Sequence, residues 1–245
     1  MKSRCLVPLA AAVIAATLVG CNPQVTDDKP ADSNSAPSST ASAASPAAGG
    51  PAPGAGAMTL ADAIAAIPDG IERRDGYERD AFRHWIDEDN DGCPTRAEVL
   101  IDEATAKPEQ GARCALTGGA WTSYYDEVDV TDPRKLDIDH VVPLAEAWDS
   151  GAYDWTPERR QAFANDIGVA RSLVAVTAGS NRSKGDKDPG QWLPPAASAH
   201  CTYAADWAGT KLRWKLQVDK EEKAALLKLT KKCSETVVEF EEAAS

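Results

Sequence analysis

An Asp-His pair, Asp139 and His140, lies at the end of an alternating apolar run within residues 136–143. Its placement constrains the possible fold of the chain more than any other sequence feature. Neighbouring side chains on a strand point to opposite faces, so Asp139 and His140 can share one site only where the strand ends and bends. Pro143 predicts such an end. A carboxylate can hold a hard divalent cation, and an imidazole can take a proton from water near neutral pH. The segment therefore predicts proton transfer beside a metal ion.

A second polar segment lies downstream at residues 181–189. Asn181 offers a neutral oxygen as a further metal ligand, and Arg182 and Lys184 supply positive charge for phosphate. Combined with the Asp-His pair, these groups suit metal-assisted hydrolysis of a phosphodiester.

These two segments resemble the HNH nucleases, the ββα-metal group. The closest resemblance is to the secreted HNH family related to the C-terminal domain of GmrSD-type modification-dependent restriction enzymes. It covers residues 77–233, and its most specific parts are residues 139–144 and 181–189. The resemblance implies an α+β fold, helix-rich, built around a small ββα-metal core.

The resemblance also implies the chemistry. One divalent ion, Mg²⁺ or Mn²⁺, is expected on Asp139 and Asn181, with His140 as the general base. Cleavage would leave 5′-phosphate and 3′-hydroxyl ends. Arg182 and Lys184 are expected to contact the flanking phosphates. The predicted catalytic residues are therefore His140, Asp139 and Asn181.

Two positions leave the site incomplete. Many HNH proteins carry a middle Asn that supports the metal loop nine residues before the last ligand, and this chain has Ser172 there. Asp137 precedes Asp139 by two residues and shares its face of the strand. It is either a partner of the metal ligands or a solvated strand residue.

The expected substrate is DNA, with RNA as an alternative, and no base-recognition module predicts sequence specificity. The net charge of −12 argues against a general electrostatic binder of nucleic acid, although basic residues predominate over residues 171–215. A rival function is a non-catalytic, cation-binding surface lipoprotein with a degenerate nuclease motif. A secreted toxin or competition nuclease would use the same chemistry. The sequence indicates no protein partner.

The N-terminus predicts export. A short basic region precedes an apolar run at residues 6–19, which is too short to span a membrane. The run ends in a sequence that resembles a bacterial lipobox, which implies lipidation at Cys21 and an extracytoplasmic lipoprotein anchored to the membrane or cell surface by its lipid. An ordinary signal peptide is the alternative. The predicted organisation is a signal at 1–20, a disordered Ala/Ser/Pro/Gly linker at 21–58 and a nuclease domain at 59–245.

Four cysteines remain in that domain, and in an exported protein they predict two disulfides. The pairs Cys93–Cys114 and Cys201–Cys233 are favoured because each closes a local segment. The rival is a zinc site, but zinc knuckles place two Cys a few residues apart and this chain has no such pair.

An acidic segment matches the spacing of an EF-hand calcium loop through Asp87, Asp89, Asp91, Gly92 and Glu98. Clustered carboxylates repel one another unless a cation lies among them. Pro94 departs from the loop pattern. The alternative is an acidic turn in which Thr95 caps the next helix and Glu98 closes a capping box.

Apolar periodicity and turn residues predict the remaining elements. Helices are expected at residues 59–67, 77–86, 97–107, 144–150, 157–165, 199–215 and 219–232. Strands are expected at 136–142 and 173–176, and a hairpin at 114–125 with Gly118 and Gly119 at its turn. Ser180 is predicted to cap the short helix that holds Asn181. His84 is interpreted as a surface or packing histidine, and His200 as a packing or capping one.

Overall fold

The computed structural model describes residues 55–168 and 171–244, which form an α+β fold of short antiparallel strands and helices. The strands are β1 Ala55–Thr59, β2 Glu109–Gln110, β3 Leu116–Thr117, β4 Trp121–Ser123, β5 Val128–Val130, β6 Leu136–His140, β7 Leu173–Thr177 and β8 Val237–Glu241. The helices are α1 Leu60–Ala66, α2 Thr95–Asp102, α3 Leu144–Asp149, α4 Pro157–Ala164, α5 Ala178–Lys184, α6 His200–Trp214 and α7 Lys220–Thr230. Within these described ranges, no helix is long and apolar enough to cross a membrane.

The centre of the fold is the antiparallel pair of β6 and β7, followed directly by α5. Leu136 lies opposite Thr177, and His140 lies opposite Leu173. The hydroxyl of Thr177 accepts from the backbone N–H of Ser180, so Thr177 caps α5. The prediction that Ser180 is the cap is wrong, because Ser180 already lies inside the first turn of the helix.

This strand pair contacts a hydrophobic cluster on each face, as the period of two along a strand requires. Val174 and Val176 belong to the main core with the aromatic residues of α6. Leu173 and Ala175 alternate with them and pack in a second cluster with Trp121. Both strands are therefore buried, and only their ends can form an accessible site.

Most of the predicted helices are confirmed. The structure has α1, α3, α4, α6 and α7 within one or two residues of the expected bounds, and α2 is displaced toward the N-terminus. Thr59, Thr156 and Asp219 cap α1, α4 and α7 through their side chains. These segments carry their signals locally, in the cap residue and in the apolar face that follows it.

Residues 77–86 contain only a one-turn 3₁₀ helix, Arg79–Ala81, so the predicted helix is wrong. The backbone groups of Arg83 and Ile86 are instead satisfied by the side chain of Asn165. The apolar spacing of this segment reflects burial of Phe82 against the core. A helical period in a short segment is thus overridden by a distant polar side chain.

The predicted hairpin at residues 114–125 is also wrong. β3 pairs with β2, and β4 pairs with β5, so the turn at Gly118 and Gly119 separates two hairpins. Both glycines have positive φ angles, which explains why the turn itself is correctly placed.

The first and last strands were not predicted. β1 pairs with β8 in antiparallel register, from Ala55 opposite Glu241 to Thr59 opposite Val237. The linker boundary expected at residue 58 therefore lies inside a strand. Gly- and Ala-rich composition conceals such an edge strand, because its pairing depends on a partner at the other end of the chain.

Both predicted disulfides are present. Cys93 is bonded to Cys114, and Cys201 is bonded to Cys233. The first ties the acidic segment to the chain before β3, and the second ties the start of α6 to the turn after α7. The zinc alternative is excluded for these four residues, since their sulfurs are bonded in pairs.

Candidate functional site

His140 ends β6 in a buried aromatic environment and is 6% exposed. Its Nε2 lies 2.9 Å from the carbonyl oxygen of Ala164. A carbonyl only accepts, so Nε2 carries the proton and Nδ1 is the acceptor nitrogen. Burial lowers the pKa of His140 to about 3. The imidazole is therefore neutral at pH 7, with its orientation fixed by a main-chain contact.

Asp139 precedes His140 and points to the opposite face, toward α5. Its Oδ2 lies 2.7 Å from the hydroxyl of Tyr125 and 2.7 Å from Nζ of Lys184. Burial raises the pKa of Asp139, and the ammonium group of Lys184 opposes this increase. The carboxylate thus lies in the interior with a cation and a hydroxyl as partners.

Lys184 is completely buried, and its Nζ also donates to the main-chain oxygen of His140 at 2.9 Å. The prediction that Lys184 contacts a substrate phosphate is wrong for this structure, because both contacts of its ammonium group are internal. Burial lowers the pKa of Lys184, and Asp139 opposes that shift. The helix period explains the error, since position 184 turns inward where position 182 turns outward.

Asn181 and Arg182 meet Asp137 rather than Asp139. Nδ2 of Asn181 lies 3.3 Å from Oδ2 of Asp137, and Nε of Arg182 lies 3.7 Å from the same oxygen. The side chain of Arg182 is 78% exposed. Asp137 is therefore a direct partner of the predicted ligand Asn181, and Arg182 is the accessible cation of the site.

The donor atoms fit a hard divalent ion. Asp137 and Asp139 share one face of β6, and the amide of Asn181 turns its Nδ2 to Asp137, so Oδ1 is the oxygen left for a ligand bond. Mg²⁺ is usually bound by one or two carboxylates together with waters and phosphate oxygens. The buried carboxylate of Asp139 has Lys184 as its cationic partner, so a bound ion would share this carboxylate with Lys184. Asp139 and Asn181, with Asp137 beside them, are the residues that would hold the ion.

Asn165 organises the far side of the site and was missed by the sequence analysis. Its Nδ2 donates to the carbonyls of Arg83 and Gln161, each at 2.8 Å, and its Oδ1 accepts from the N–H of Ile86 at 3.1 Å. The residue before it, Ala164, supplies the carbonyl that orients His140. A polar residue at the last position of the predicted helix 157–165 is the sequence signal, and it is equally typical of an exposed helix end.

His84 lies beside His140, with ring centroids 6.4 Å apart. Its Nδ1 is 2.8 Å from the carbonyl oxygen of Phe82. The sequence predicts a surface or packing histidine at this position, within an expected helix. The third histidine, His200, contacts the carbonyl of Pro194. The structure thus brings two histidines together and places the third in a separate contact with a main-chain carbonyl.

Ser172 occupies the position at which many HNH proteins have a middle Asn that supports the metal loop, and its contacts are made elsewhere. Its hydroxyl donates to Oδ2 of Asp166 at 2.8 Å, and its carbonyl accepts from the N–H of Val141 at 2.9 Å. Asp166 is also the partner of Arg213 and Trp214. Ser172 therefore joins the strand pair to α6 rather than to the candidate metal ligands.

The acidic segment gathers Asp87, Asp89 and Asp91, which each offer a carboxylate oxygen within 4.8 Å of the others. All three are exposed, and Glu98 is not a member of this group. Backbone N–H groups of Gly92 and Cys93 donate to Asp87 and Asp91. Burial raises the pKa of Glu98, and the three aspartates add to that increase.

The predicted cap of the next helix is wrong. α2 begins at Thr95 itself, and its N-cap residue is Pro94, which has no side-chain capping bond. The hydroxyl of Thr95 donates to Oδ1 of Asn165 at 2.9 Å. The predicted lipidation site, Cys21, lies outside the described residues.

Two comparisons relate this chain to known proteins. The family model described as GmrSD restriction endonucleases, C-terminal domain, matches residues 96–229. An uncharacterized secreted protein of Arthroderma benhamiae is 42% identical over 177 residues, which is 72% of this chain and 84% of that protein. No solved structure matches the chain. The family match contains β6, β7, α5 and the polar residues at their ends. This chain belongs to the family of GmrSD restriction endonuclease C-terminal domains.

Proposed function

We propose that this protein is an HNH-type endonuclease that hydrolyses phosphodiester bonds of DNA with the aid of one divalent metal ion. The observation that carries the proposal is the neutral imidazole of His140. It is fixed by Ala164 at the end of β6, the strand that also carries Asp137 and Asp139, and Asn181 contacts Asp137 from the neighbouring helix α5. A strand pair followed directly by α5 is the arrangement that a ββα-metal core requires. The family match supports nuclease activity.

In the proposed reaction, Nδ1 of His140 takes a proton from the attacking water while Nε2 keeps its hydrogen bond to Ala164. The water oxygen forms the new bond to phosphorus, and the bond to the 3′ oxygen breaks. That oxygen then takes a proton from solvent, which leaves 5′-phosphate and 3′-hydroxyl ends. Because Ala164 holds the ring, little reorientation is needed before proton transfer.

The remaining residues would bind the metal ion and the substrate phosphates. Asp139 and Asn181 would hold the ion, Mg²⁺ or Mn²⁺, which when bound neutralises charge on the phosphate. Arg182 is the exposed cation available for a flanking phosphate. The net charge of −12 predicts weak, local binding to nucleic acid and little sequence specificity. RNA is the alternative substrate, and the two are distinguished by comparing the cleavage rates of DNA and RNA under the same conditions.

We also propose that the protein acts outside the cytoplasm. Two disulfides favour an oxidising compartment, and the relative from Arthroderma benhamiae is named as secreted. Attachment to a membrane through a lipid on Cys21 remains a prediction from the sequence, testable by mass spectrometry of the mature N-terminus.

The test is nicking of supercoiled plasmid DNA by purified protein, with Mg²⁺ or Mn²⁺ and with EDTA. We expect cleavage only with metal, and a loss of roughly 100-fold or more in His140→Ala, the usual scale for a general base. His200→Ala is the matched control, because His200 also contacts a carbonyl through Nε2 but lies elsewhere. Wild-type protein that does not cleave, or His140→Ala that cleaves equally well, overturns the proposal.

A second candidate function is cation binding without catalysis, supported by the exposed group of Asp87, Asp89 and Asp91. Calorimetric titration with Ca²⁺ tests it independently of cleavage. We expect Asp89→Asn to weaken binding, whereas Asp129→Asn, an exposed aspartate on β5, is the control. If Ca²⁺ gives no heat, the acidic turn held by its own backbone hydrogen bonds is the correct interpretation.

A further inference from the structure

His84 lies directly beside His140. The two ring centroids are 6.4 Å apart, and the rings are nearly perpendicular at 84°. Nδ1 of His84 contacts the carbonyl of Phe82, which only accepts, so Nδ1 carries the proton and Nε2 is the acceptor. His140 is held the opposite way, with Nε2 protonated and Nδ1 as the acceptor. Each imidazole therefore keeps one acceptor nitrogen.

One short stretch of the chain orients both rings. Ala164 holds His140 through its carbonyl, and the next residue, Asn165, holds both sides of the dipeptide His84-Trp85. It does so by donating to the residue before the dipeptide and accepting from the residue after it. The geometry of the two histidines is therefore coupled, because a shift at the end of α4 moves both.

The same dipeptide carries backbone strain. Trp85 has a φ of 60°, a left-handed conformation that is rare for a bulky side chain. The ring of Trp85 lies 5.5 Å from that of His140. Residues held in this way concentrate at sites where a side chain must keep a particular position.

Resting on the proposed nuclease function, we propose that His84 is a second catalytic histidine, whose Nε2 accepts one hydrogen of the attacking water while Nδ1 of His140 receives the other as a proton. Two acceptor nitrogens that share one water at ordinary hydrogen-bond lengths place their ring centroids about 6 Å apart. The observed 6.4 Å agrees with this spacing.

The protons and electrons balance without a further reactant. A lone pair on the water oxygen forms the bond to phosphorus as the bond to the 3′ oxygen breaks. One proton passes to His140, and the other hydrogen remains on the new phosphate oxygen. His84 does not change its protonation. With both hydrogens engaged, the water can direct only its lone pairs toward phosphorus, which lowers the entropy cost of attack.

The competing explanation is that His84 only packs on Trp85, since their rings are 5.3 Å apart in an edge contact. Matched variants separate the two. His84→Phe keeps an aromatic ring against Trp85 and removes Nε2, and His84→Gln places an amide near the position of Nε2. We expect kcat of His84→Phe to fall roughly 10- to 100-fold with KM unchanged, and His84→Gln to keep more activity.

A double-mutant cycle with His140 gives a second measurement. If both histidines hold one water, His84→Phe should lower the residual rate of His140→Ala by much less than it lowers the wild-type rate. Added imidazole should partly restore His84→Ala, because the ring is partly exposed. This rescue decides the question even if the Phe variant folds poorly, and a melting curve accompanies each variant.

The outcomes distinguish this inference from the function on which it rests. A full kcat in His84→Phe, with or without a raised KM, overturns the role of His84. If cleavage still depends on His140 in that case, the nuclease function is unaffected. Additive losses in the cycle also overturn it. If the wild-type protein does not cleave, both fail together.

Discussion

Nζ of Lys184 lies 2.7 Å from Oδ2 of Asp139, and both side chains are removed from solvent. Burial of an ion costs several kcal/mol unless a partner charge is close. The same ammonium group donates to the main-chain oxygen of His140, so the ion pair fixes α5 to the end of β6. The cation that neutralises Asp139 is thus supplied by the chain, and a divalent ion at this carboxylate has to share it with Lys184.

Lys184→Met should therefore make the fold depend on metal. Removal of the ammonium group leaves Asp139 as an unpaired buried charge, which costs about 3–5 kcal/mol of unfolding free energy in metal-free buffer. We expect Mn²⁺ to raise the melting temperature of this variant more than that of the wild type. Lys187→Met is the control, because Lys187 is exposed and only donates to Ser183.

A further substitution guards this prediction against simple misfolding. In the double variant Lys184→Met and Asp139→Asn the unpaired charge is gone, so most of the lost stability should return while the response to Mn²⁺ disappears. Equal melting temperatures of Lys184→Met and wild type in EDTA would contradict the argument.

Asn165→Ala should affect stability and the site together. The substitution removes contacts to Arg83, Gln161 and Ile86 and leaves buried backbone groups unpaired, which we expect to lower the unfolding free energy by roughly 3 kcal/mol. Asn165→Asp keeps the acceptor oxygen but loses both donated hydrogen bonds, so its unfolding free energy should lie between those of the wild type and Asn165→Ala. Urea denaturation gives the values, and hydrogen exchange at residues 83–86 shows whether the loss is local. Unchanged exchange there would refute the role of this side chain.

Sequence predicted those parts of the site that depend on neighbours in the chain. β6, β7 and α5 follow from strand alternation and from the polar residues at their ends, and the disulfides follow from short separations. The sequence left open whether Asp137 is a partner of the metal ligands or a solvated residue, because its pairing with Asn181 depends on how α5 is rotated against β6. A helix turns its residues in and out within a few positions, so Lys184 is buried while Arg182, two residues earlier, is exposed.

The far side of the site escaped prediction for a different reason. Asn165 satisfies the backbone of residues 83–86 from about eighty residues away, so local propensity in that segment predicts a helix that does not form. No pattern within a single element reveals a contact of this kind. Its consequence, the position of His84 beside His140, appears only once the long-range hydrogen bonds are known.

The two disulfides should stabilise different regions. Cys201–Cys233 spans 32 residues and Cys93–Cys114 spans 21, for which chain-entropy models give about 3–4 kcal/mol each. Replacing both Cys201 and Cys233 by Ala should lower the melting temperature of the whole domain, because that bridge joins α6 to the end of α7. Replacing the other pair should mainly increase proteolysis near the acidic segment. If the acidic segment resists proteolysis equally well in the wild type and in the variant without Cys93 and Cys114, the proposed local role of that disulfide is wrong.

Asp206 provides the pH dependence that can be tested most directly. Burial raises the pKa of Asp206 from its ordinary 3.8 to about 7, while a hydrogen bond from the hydroxyl of Tyr124 at 3.1 Å opposes the increase. Between pH 4 and pH 7 the folded protein holds a proton on this carboxyl that the unfolded chain has lost. Its contribution to stability therefore increases as pH falls from 7 to 4, and the cost of burying its charge is complete above pH 7.

Asp206→Asn should consequently be more stable than the wild type at pH 8, and this advantage should shrink as the pH falls toward 4. Urea denaturation at several pH values measures the difference in unfolding free energy. Tyr124→Phe removes the hydrogen bond that opposes the increase and so raises the pKa of Asp206 further. In the Tyr124→Phe background, the unfolding free energies of the proteins with and without Asp206→Asn should therefore converge at a higher pH. A constant difference between the Asp and Asn proteins from pH 4 to pH 8 would show that Asp206 keeps its charge in the folded state throughout.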